Sequence, residues 1–215
     1  MEPVQNLNEG QITALRRAIT TRMSGKRLSH TLGVEKEIAR LGVLFLPEDL
    51  LRLRAAALLH DITKELTVAQ QQALCAQNGV TLTEEELLSP KTLHAQTAVF
   101  VIQADFFAFA DPVILDAVRD HTTGSPQMSL FAKLLYLADY IEETRTYPDC
   151  VALRRAFWEP VAEMGEAQRL LHLDRILLLS FDMTIKTLLE EGSMIAPATV
   201  YTRNSFIAEI SRHKV

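Results

Sequence analysis

His60 and Asp61 end the apolar run Ala55-Ala-Ala-Leu-Leu59, and Lys64 follows one helical turn later. A helix that apolar is buried, and an imidazole beside a carboxylate at its end is costly to desolvate without a partner or an ion. Neutral imidazole and carboxylate together suit Fe, Mn, Co or Zn. Four more potential ligands occur in comparable settings. His30 lies in Arg27-Leu-Ser-His-Thr-Leu-Gly-Val34 and His94 in Lys91-Thr-Leu-His-Ala-Gln-Thr-Ala98. His121 follows Ile114-Leu-Asp-Ala-Val-Arg-Asp120, and Asp139 ends Leu134-Leu-Tyr-Leu-Ala138.

Because an α-helix turns about 100° per residue, adjacent His60 and Asp61 can share an ion only beside their helix, with the remaining ligands drawn from neighbouring helices. A bundle supplies that geometry. His30, His60, Asp61 and Asp139 would form a first site; His94 and His121 could hold a second ion, with Asp61 bridging. Two ions about 3.5–4 Å apart can activate water and stabilise a leaving oxygen together. Taken singly, each histidine has an ordinary explanation: His30 as a cap or core residue, His94 as a first-turn surface residue, His121 as a helix C-terminal residue favoured by the macrodipole. The ordered set is what points to a metal; His172 and His213 fall outside it and receive no role.

Lys64 lies on the same helical face as His60 and Asp61, where a cation could hold a phosphate or donate a proton; a solvated lysine paired with Glu65 or Asp61 is the plain alternative. Arg145 could clamp a phosphate with two N–H groups, or be a surface arginine. Thr122, Thr123 and Gly124 could offer hydroxyls and backbone N–H groups to an anion, or be a plain turn.

Helices must position these groups, because the hydrophobic period is helical almost throughout. A first helix is expected from about Gln11 to Met23, opened by Asn8 and Gln11 as a capping box. A second runs from about Lys26 to Leu41 and stops at Gly42. Others are expected over about Glu48 to His60, Thr67 to Gln77, a short stretch from Thr83, Ser89-Pro90 to Phe107 and Asp111-Pro112 to His121, the last two with Pro at the first helical position. Ser129 to Glu143, Cys150 to Met164, Ala167 to Glu191 and Pro197 to Ile210 complete the series. No linker or repeat divides the chain, and the stretch after Asp149 carries no ligand-like cluster.

Composition narrows the functional classes. A 48% hydrophobic content over 215 residues suffices for a core, yet no apolar run reaches the roughly 18 residues of a membrane helix. The polar Met1 to Gly10 stretch lacks the apolar segment of a secretory signal. Two distant cysteines, Cys75 and Cys150, suit a reducing cytoplasm better than a disulfide framework. A net charge of −5 argues against a nucleic-acid partner but permits a phosphorylated small molecule. Phosphate-binding glycine loops and the serine-nucleophile elbow are missing. Glu84-Glu-Glu86 reads as a helix N-terminal acidic run, and Phe106, Phe107 and Phe109 as core.

The ordered His, His-Asp, His, Asp set resembles the HD-domain metal-dependent phosphohydrolase superfamily. Within it, the chain is similar to the YqeK-type bacterial symmetrical dinucleoside tetraphosphatases through Leu28-Ser-His-Thr-Leu-Gly-Val34, Leu59-His-Asp-Ile-Thr-Lys64, Leu93-His-Ala95 and the stretch from His121 to Met128 continuing through Tyr136–Glu142 to Arg145. Tyr201-Thr-Arg-Asn204 looks like a further family segment; Glu143-Thr144 departs from the usual Pro-Asn before the arginine. The resemblance implies an all-α fold: an HD-domain helical bundle over 1–149 with a C-terminal helical extension over 150–215 packed on it. It implies a divalent transition metal, iron with manganese or cobalt able to substitute, in one or two ions. The metal ligands implied are His30, His60, Asp61 and Asp139, with His94 and His121 at a second ion or the phosphates. Catalysis is expected from Asp61, Lys64 and Arg145, and substrate contacts from Lys64, His94, His121, Thr122, Gly124, Arg145 and Asn204. The activity implied is hydrolysis of diadenosine tetraphosphate and related dinucleoside polyphosphates to two nucleoside diphosphates through a metal-activated water. Another HD-type nucleotide phosphohydrolase or phosphodiesterase, or a non-catalytic metal-bound nucleotide sensor, is the alternative. The expected partner is the dinucleoside polyphosphate, without nucleic acid or membrane; a homodimer stays open.

Overall fold

The computed structural model describes residues 7–213, so that 1–6 of the polar N-terminal stretch lie outside it. Eleven α-helices follow one another among the described residues: α1 (Glu9–Thr20), α2 (Gly25–Phe45), α3 (Leu50–Leu59), α4 (Val68–Gln77), α5 (Glu84–Leu88), α6 (Leu93–Asp105), α7 (Pro112–Asp120), α8 (Leu130–Ile141), α9 (Pro148–Val161), α10 (Glu166–Glu190) and α11 (Pro197–Arg212). No strand occurs among them, and the expected all-α class holds.

The helix starts follow local chemistry. Asn8 and Gln11 form the reciprocal capping box at α1, and Thr67 and Gln70 form another at α4. The Asp111 carboxylate accepts the Val113 N–H with Pro112 at the first helical position. Two expectations fail. α2 does not stop at Gly42 but continues to Phe45; a Cβ at Gly42 would crowd Leu50 and Leu53, so this glycine serves close α2–α3 packing instead of a helix stop. Ser89 makes no side-chain cap, and Pro90–Thr92 forms a 3-10 turn before α6 begins at Leu93.

α3 is the centre of the bundle. Leu53 and Ala55 through Leu59 are fully buried, and the alanine run lets α1, α2, α7 and α8 approach closely. Full burial of each leucine side chain contributes about 1.5–3 kcal/mol. Consequently the C-terminal end of α3, where His60 and Asp61 sit, is enclosed by α2, α7 and α8. α6 packs on α7 and presents His94 beside His121.

The last three helices pack against this core through α8, α9 against α8 and α10, and α10 against α8 and α11. Trp158 of α9 donates its indole N–H to Glu37 of α2 at 2.6 Å and lies under the Arg40 guanidinium at 4.0 Å. His172 packs against Phe157 and contacts its carbonyl at 3.1 Å, a structural place for a histidine outside the ligand set. Phe106 and Phe109 are buried in the core, and both cysteines are free and buried. No helix of the described residues is long and apolar enough to cross a membrane.

Candidate metal centre

Three of the histidines are set in one way. The Nδ1 atoms of His60, His94 and His121 face the carbonyls of Ala57, Lys91 and Val118, each three residues earlier, at 2.7, 2.8 and 2.6 Å. A carbonyl only accepts, so Nδ1 carries the hydrogen and Nε2 presents a lone pair. His30 is oriented by a side chain instead: its Nδ1 lies 3.0 Å from Glu142 Oε1. Glu142 is fully buried, and accepts the Thr144 N–H and hydroxyl at 2.6 Å each.

The four Nε2 atoms converge on Asp61 and Asp139. His30 Nε2 stands 3.0 Å from Asp139 Oδ1 and 3.7 Å from Asp61 Oδ2. His60 Nε2 stands 3.4 Å from Asp61 Oδ2 and 3.8 Å from Asp139 Oδ1. On the other side of Asp61, Oδ1 lies 3.3 Å from His94 Nε2 and 3.6 Å from His121 Nε2. Two ligand sets result, His30–His60–Asp139 and His60–Asp61–His121, each with its donor atoms within 4.8 Å of one another.

This arrangement fits a cation. Nε2 of His30 and of His60 are buried and make no hydrogen bond despite the carboxylates nearby; such atoms are costly unless something binds them. Nε2 of His94 and of His121 face each other at 3.0 Å. With both Nδ1 hydrogens committed, two lone pairs would meet there unless an ion or a proton lies between them.

The charges around the cluster are balanced. Asp61 Oδ2 accepts from Arg27 at 2.5 Å and Asp139 Oδ1 from Arg145 at 2.6 Å. Burial favours a neutral Asp61, but His60, His121 and His94 outweigh it and hold its pKa well below the usual carboxylate range. Burial likewise opposes ionisation of Asp139, and Arg145 with the two facing histidines holds it well below as well. His94 is pushed well below the ordinary imidazole value by burial, His121 and Lys64, which keeps its Nε2 available as a ligand. Lys64 Nζ lies 3.1 Å from that Nε2, and burial lowers the lysine's pKa against the pull of Asp61 and Asp139. Burial works against a proton on His30, but Asp139 and Glu142 prevail and raise its pKa to about 9.

A cavity of about 760 Å³ opens over the cluster, lined by His30, Asp61, Lys64, His94, His121, Thr122, Asp139 and Arg145 among others. The structure therefore brings all of these expected residues together. Two others it places elsewhere. Gly124 does not line the cavity: it has φ +66° and sits where a Cβ would collide with Thr202 and Phe181, so it serves the packing of the 122–128 turn on α10 and α11. Asn204 is exposed on α11 and accepts only from Arg203, at 3.3 Å. Sequence reasoning missed Arg27 and Glu142, although each stands three residues from a ligand on the same helix or its cap, the spacing of facing side chains. It also missed Arg154 of α9, which donates to the carbonyls of Ile141, Glu142 and Arg145. That contact ties α9 to the segment carrying Glu142 and Arg145, and no local pattern announces it.

Comparison with known proteins bears on this centre. The model of the HD domain family matches residues 27–144, a span that contains every ligand of both sets. A protein of Halalkalibacterium halodurans named a symmetrical bis(5'-nucleosyl)-tetraphosphatase is 28% identical over 205 residues, covering 94% of this chain and 99% of its own. A protein of Bacillus subtilis with the same name is 27% identical, over 88% of this chain and 94% of its own. A crystal structure from Clostridium acetobutylicum, described as that of a predicted HD superfamily hydrolase involved in NAD metabolism, superposes with a TM-score of 0.79 at 30% identity, covering 94% of this chain and 98% of that one.

Proposed function

The chain belongs to the HD domain family, and from that premise we propose that it is a metal-dependent hydrolase that cleaves dinucleoside tetraphosphates symmetrically. The carrying observation is the pair of unbonded buried Nε2 atoms of His30 and His60 facing Asp61 and Asp139 beneath an open cavity. Relatives named symmetrical tetraphosphatases over most of this chain support the substrate.

His30, His60, Asp61 and Asp139 would hold one ion, and His94 and His121 a second, shared through Asp61, or the phosphates. The donor set of imidazole and carboxylate suits iron, with manganese or cobalt as substitutes. A bound divalent ion supplies Lewis acidity and lowers the pKa of water from about 15.7 toward 7. The chain does the rest. Asp61 or Asp139, both ionised in the cluster, would orient the attacking water through a carboxylate oxygen. Lys64, Arg145 and Arg27 face the cavity as cations and offset the negative charge on the phosphoryl oxygens as the bond breaks. Thr122 adds a hydroxyl at 3.1 Å from His94 Nε2.

The test is the purified protein with diadenosine tetraphosphate and Fe, Mn or Co, with products separated by chromatography. Two ADP per substrate are expected. ATP plus AMP, or no turnover with any of these metals, would overturn the reading. His60→Ala and Asp61→Ala should each abolish turnover while the helical circular dichroism remains.

A further inference from the structure

A second cavity, of about 710 Å³, adjoins the metal cavity and shares Lys64, Thr122 and Thr184 with it. We propose that this second cavity receives the second nucleoside of a dinucleoside polyphosphate, so that the two arms lie on opposite sides of the Lys64–Thr122 junction. The proposal rests on the reading above for the identity of its occupant.

Three observations carry it. The two cavities are nearly equal in volume, and each lies in the range of roughly 300–1,000 Å³ that holds a small organic ligand. Each is therefore large enough to take one nucleoside arm of a symmetrical substrate. Their junction is beside the His94–His121 end of the ligand cluster, since Thr122 Oγ1 lies 3.2 Å from His121 Nε2 and Lys64 Nζ 3.1 Å from His94 Nε2. A phosphate chain crossing there would pass the ligands and meet a lysine. Finally, the lining of the second cavity suits a base and a sugar. Leu88 and Met194 are apolar side chains left 56% and 42% exposed, and with Leu188 they form a wall for a planar base. Ser193 supplies a hydroxyl, no carboxylate lines the cavity, and the two charged residues that do, Lys64 and Lys91, are both cations.

Ligand counting by calorimetry on the metal-loaded full-length protein tests the proposal without turnover. The wild type should bind two ADP per chain. Ser193→Trp, which fills the cavity, and Met194→Glu, which places a carboxylate in its exposed wall, should each bind one at an unchanged melting temperature. Both should raise KM for diadenosine tetraphosphate by roughly tenfold or more and leave hydrolysis of adenosine 5'-tetraphosphate, which has a single nucleoside, unchanged. One ADP per wild-type chain, or two in both variants, would overturn the second compartment whether or not diadenosine tetraphosphate is cleaved. Two in the wild type and one in the variants would sustain it even if the wild type failed to hydrolyse that substrate, an outcome that removes the proposed activity alone.

Discussion

Gly33 of α2 leaves the space that the Glu142 carboxylate occupies: a Cβ at position 33 would overlap Oε2 of Glu142. The glycine thereby admits a fully buried acid to the side of His30, where Glu142 Oε1 accepts from Nδ1 at 3.0 Å. Glycine in a helix interior normally costs about 0.5–1 kcal/mol relative to alanine, so relieving that cost should stabilise an unconstrained helix. Gly33→Ala is expected to do the reverse here. It should lower the melting temperature and reduce the metal content measured by elemental analysis. A more stable protein with full metal content would show that the close approach is incidental.

Glu142→Gln separates charge from shape. The amide oxygen, in the place of Oε1, can still accept from His30 and the Thr144 hydroxyl, but the NH2 group, in the place of Oε2, meets the Thr144 N–H that now donates to the carboxylate. Groups that orient a ligating histidine typically contribute about 10–100-fold to metal affinity or activity. A loss of at least roughly tenfold in affinity, read by competition with a chelator, is expected, with little change in helicity. Wild-type affinity in this variant would reduce Glu142 to a packing residue.

The His30 pKa of about 9, above the ordinary 6.5, sets a pH dependence for the metal-free protein. A group whose pKa is raised on folding stabilises fully below its unfolded value and loses that contribution as pH rises through its folded value. Stability of the chelator-treated protein relative to His30→Gln should therefore be greatest below about pH 6.5 and shrink toward pH 9. Urea unfolding of both proteins across that range measures the difference. In the same range metal binding should release a proton, because His30 must be deprotonated to ligate. A pH-independent difference between the two proteins would contradict the assigned contacts.

Gly124 and Asn204 are expected to behave differently from cavity residues. Gly124→Ala puts a Cβ at a positive φ against Thr202 and Phe181, and a cost on the order of 1–3 kcal/mol follows. Its activity per folded molecule should persist at temperatures below unfolding. Asn204→Ala, on an exposed helix face, should change neither stability nor KM. A raised KM in Asn204→Ala would return that residue to the substrate-binding set.

Much of the site was legible because its ligands end apolar runs, where a polar group is conspicuous. The buried α3 run ending at His60-Asp61 and the α8 run ending at Asp139 could be read from residue order alone. Capping chemistry at Asn8 and Asp111 likewise placed helix starts to within a residue or two. What escaped is tertiary. Gly42 reads locally as a stop signal, and only the nearness of Leu50 and Leu53 shows why α2 runs through it. Gly124 reads as part of an anion-binding turn until Thr202 and Phe181, distant in sequence, are found against it. Arg27 and Glu142 had a weak signal in their three-residue spacing from His30 and Asp139. Arg154 had none, since its acceptors are backbone carbonyls that every sequence supplies.

Arg154 provides the sharpest test of whether the last three helices support the metal centre. Its guanidinium donates to the carbonyls of Ile141, Glu142 and Arg145, at the end of α8 where helical carbonyls lack intrahelical partners. Lysine keeps the charge but cannot satisfy three carbonyls in a planar fork. Arg154→Lys should therefore retain the fold while loosening the 142–145 segment. Two consequences are expected together: faster amide exchange at Thr144 and Arg145, and weaker metal binding through a less well held Glu142–His30 pair. Arg154→Ala should show both more strongly, with a stability loss on the order of 1–3 kcal/mol for buried carbonyls left without donors. If exchange quickens while metal affinity stays at the wild-type level, α9 braces the chain locally and the centre does not depend on it. If neither changes, the carbonyls find other donors and the clamp has no energetic weight.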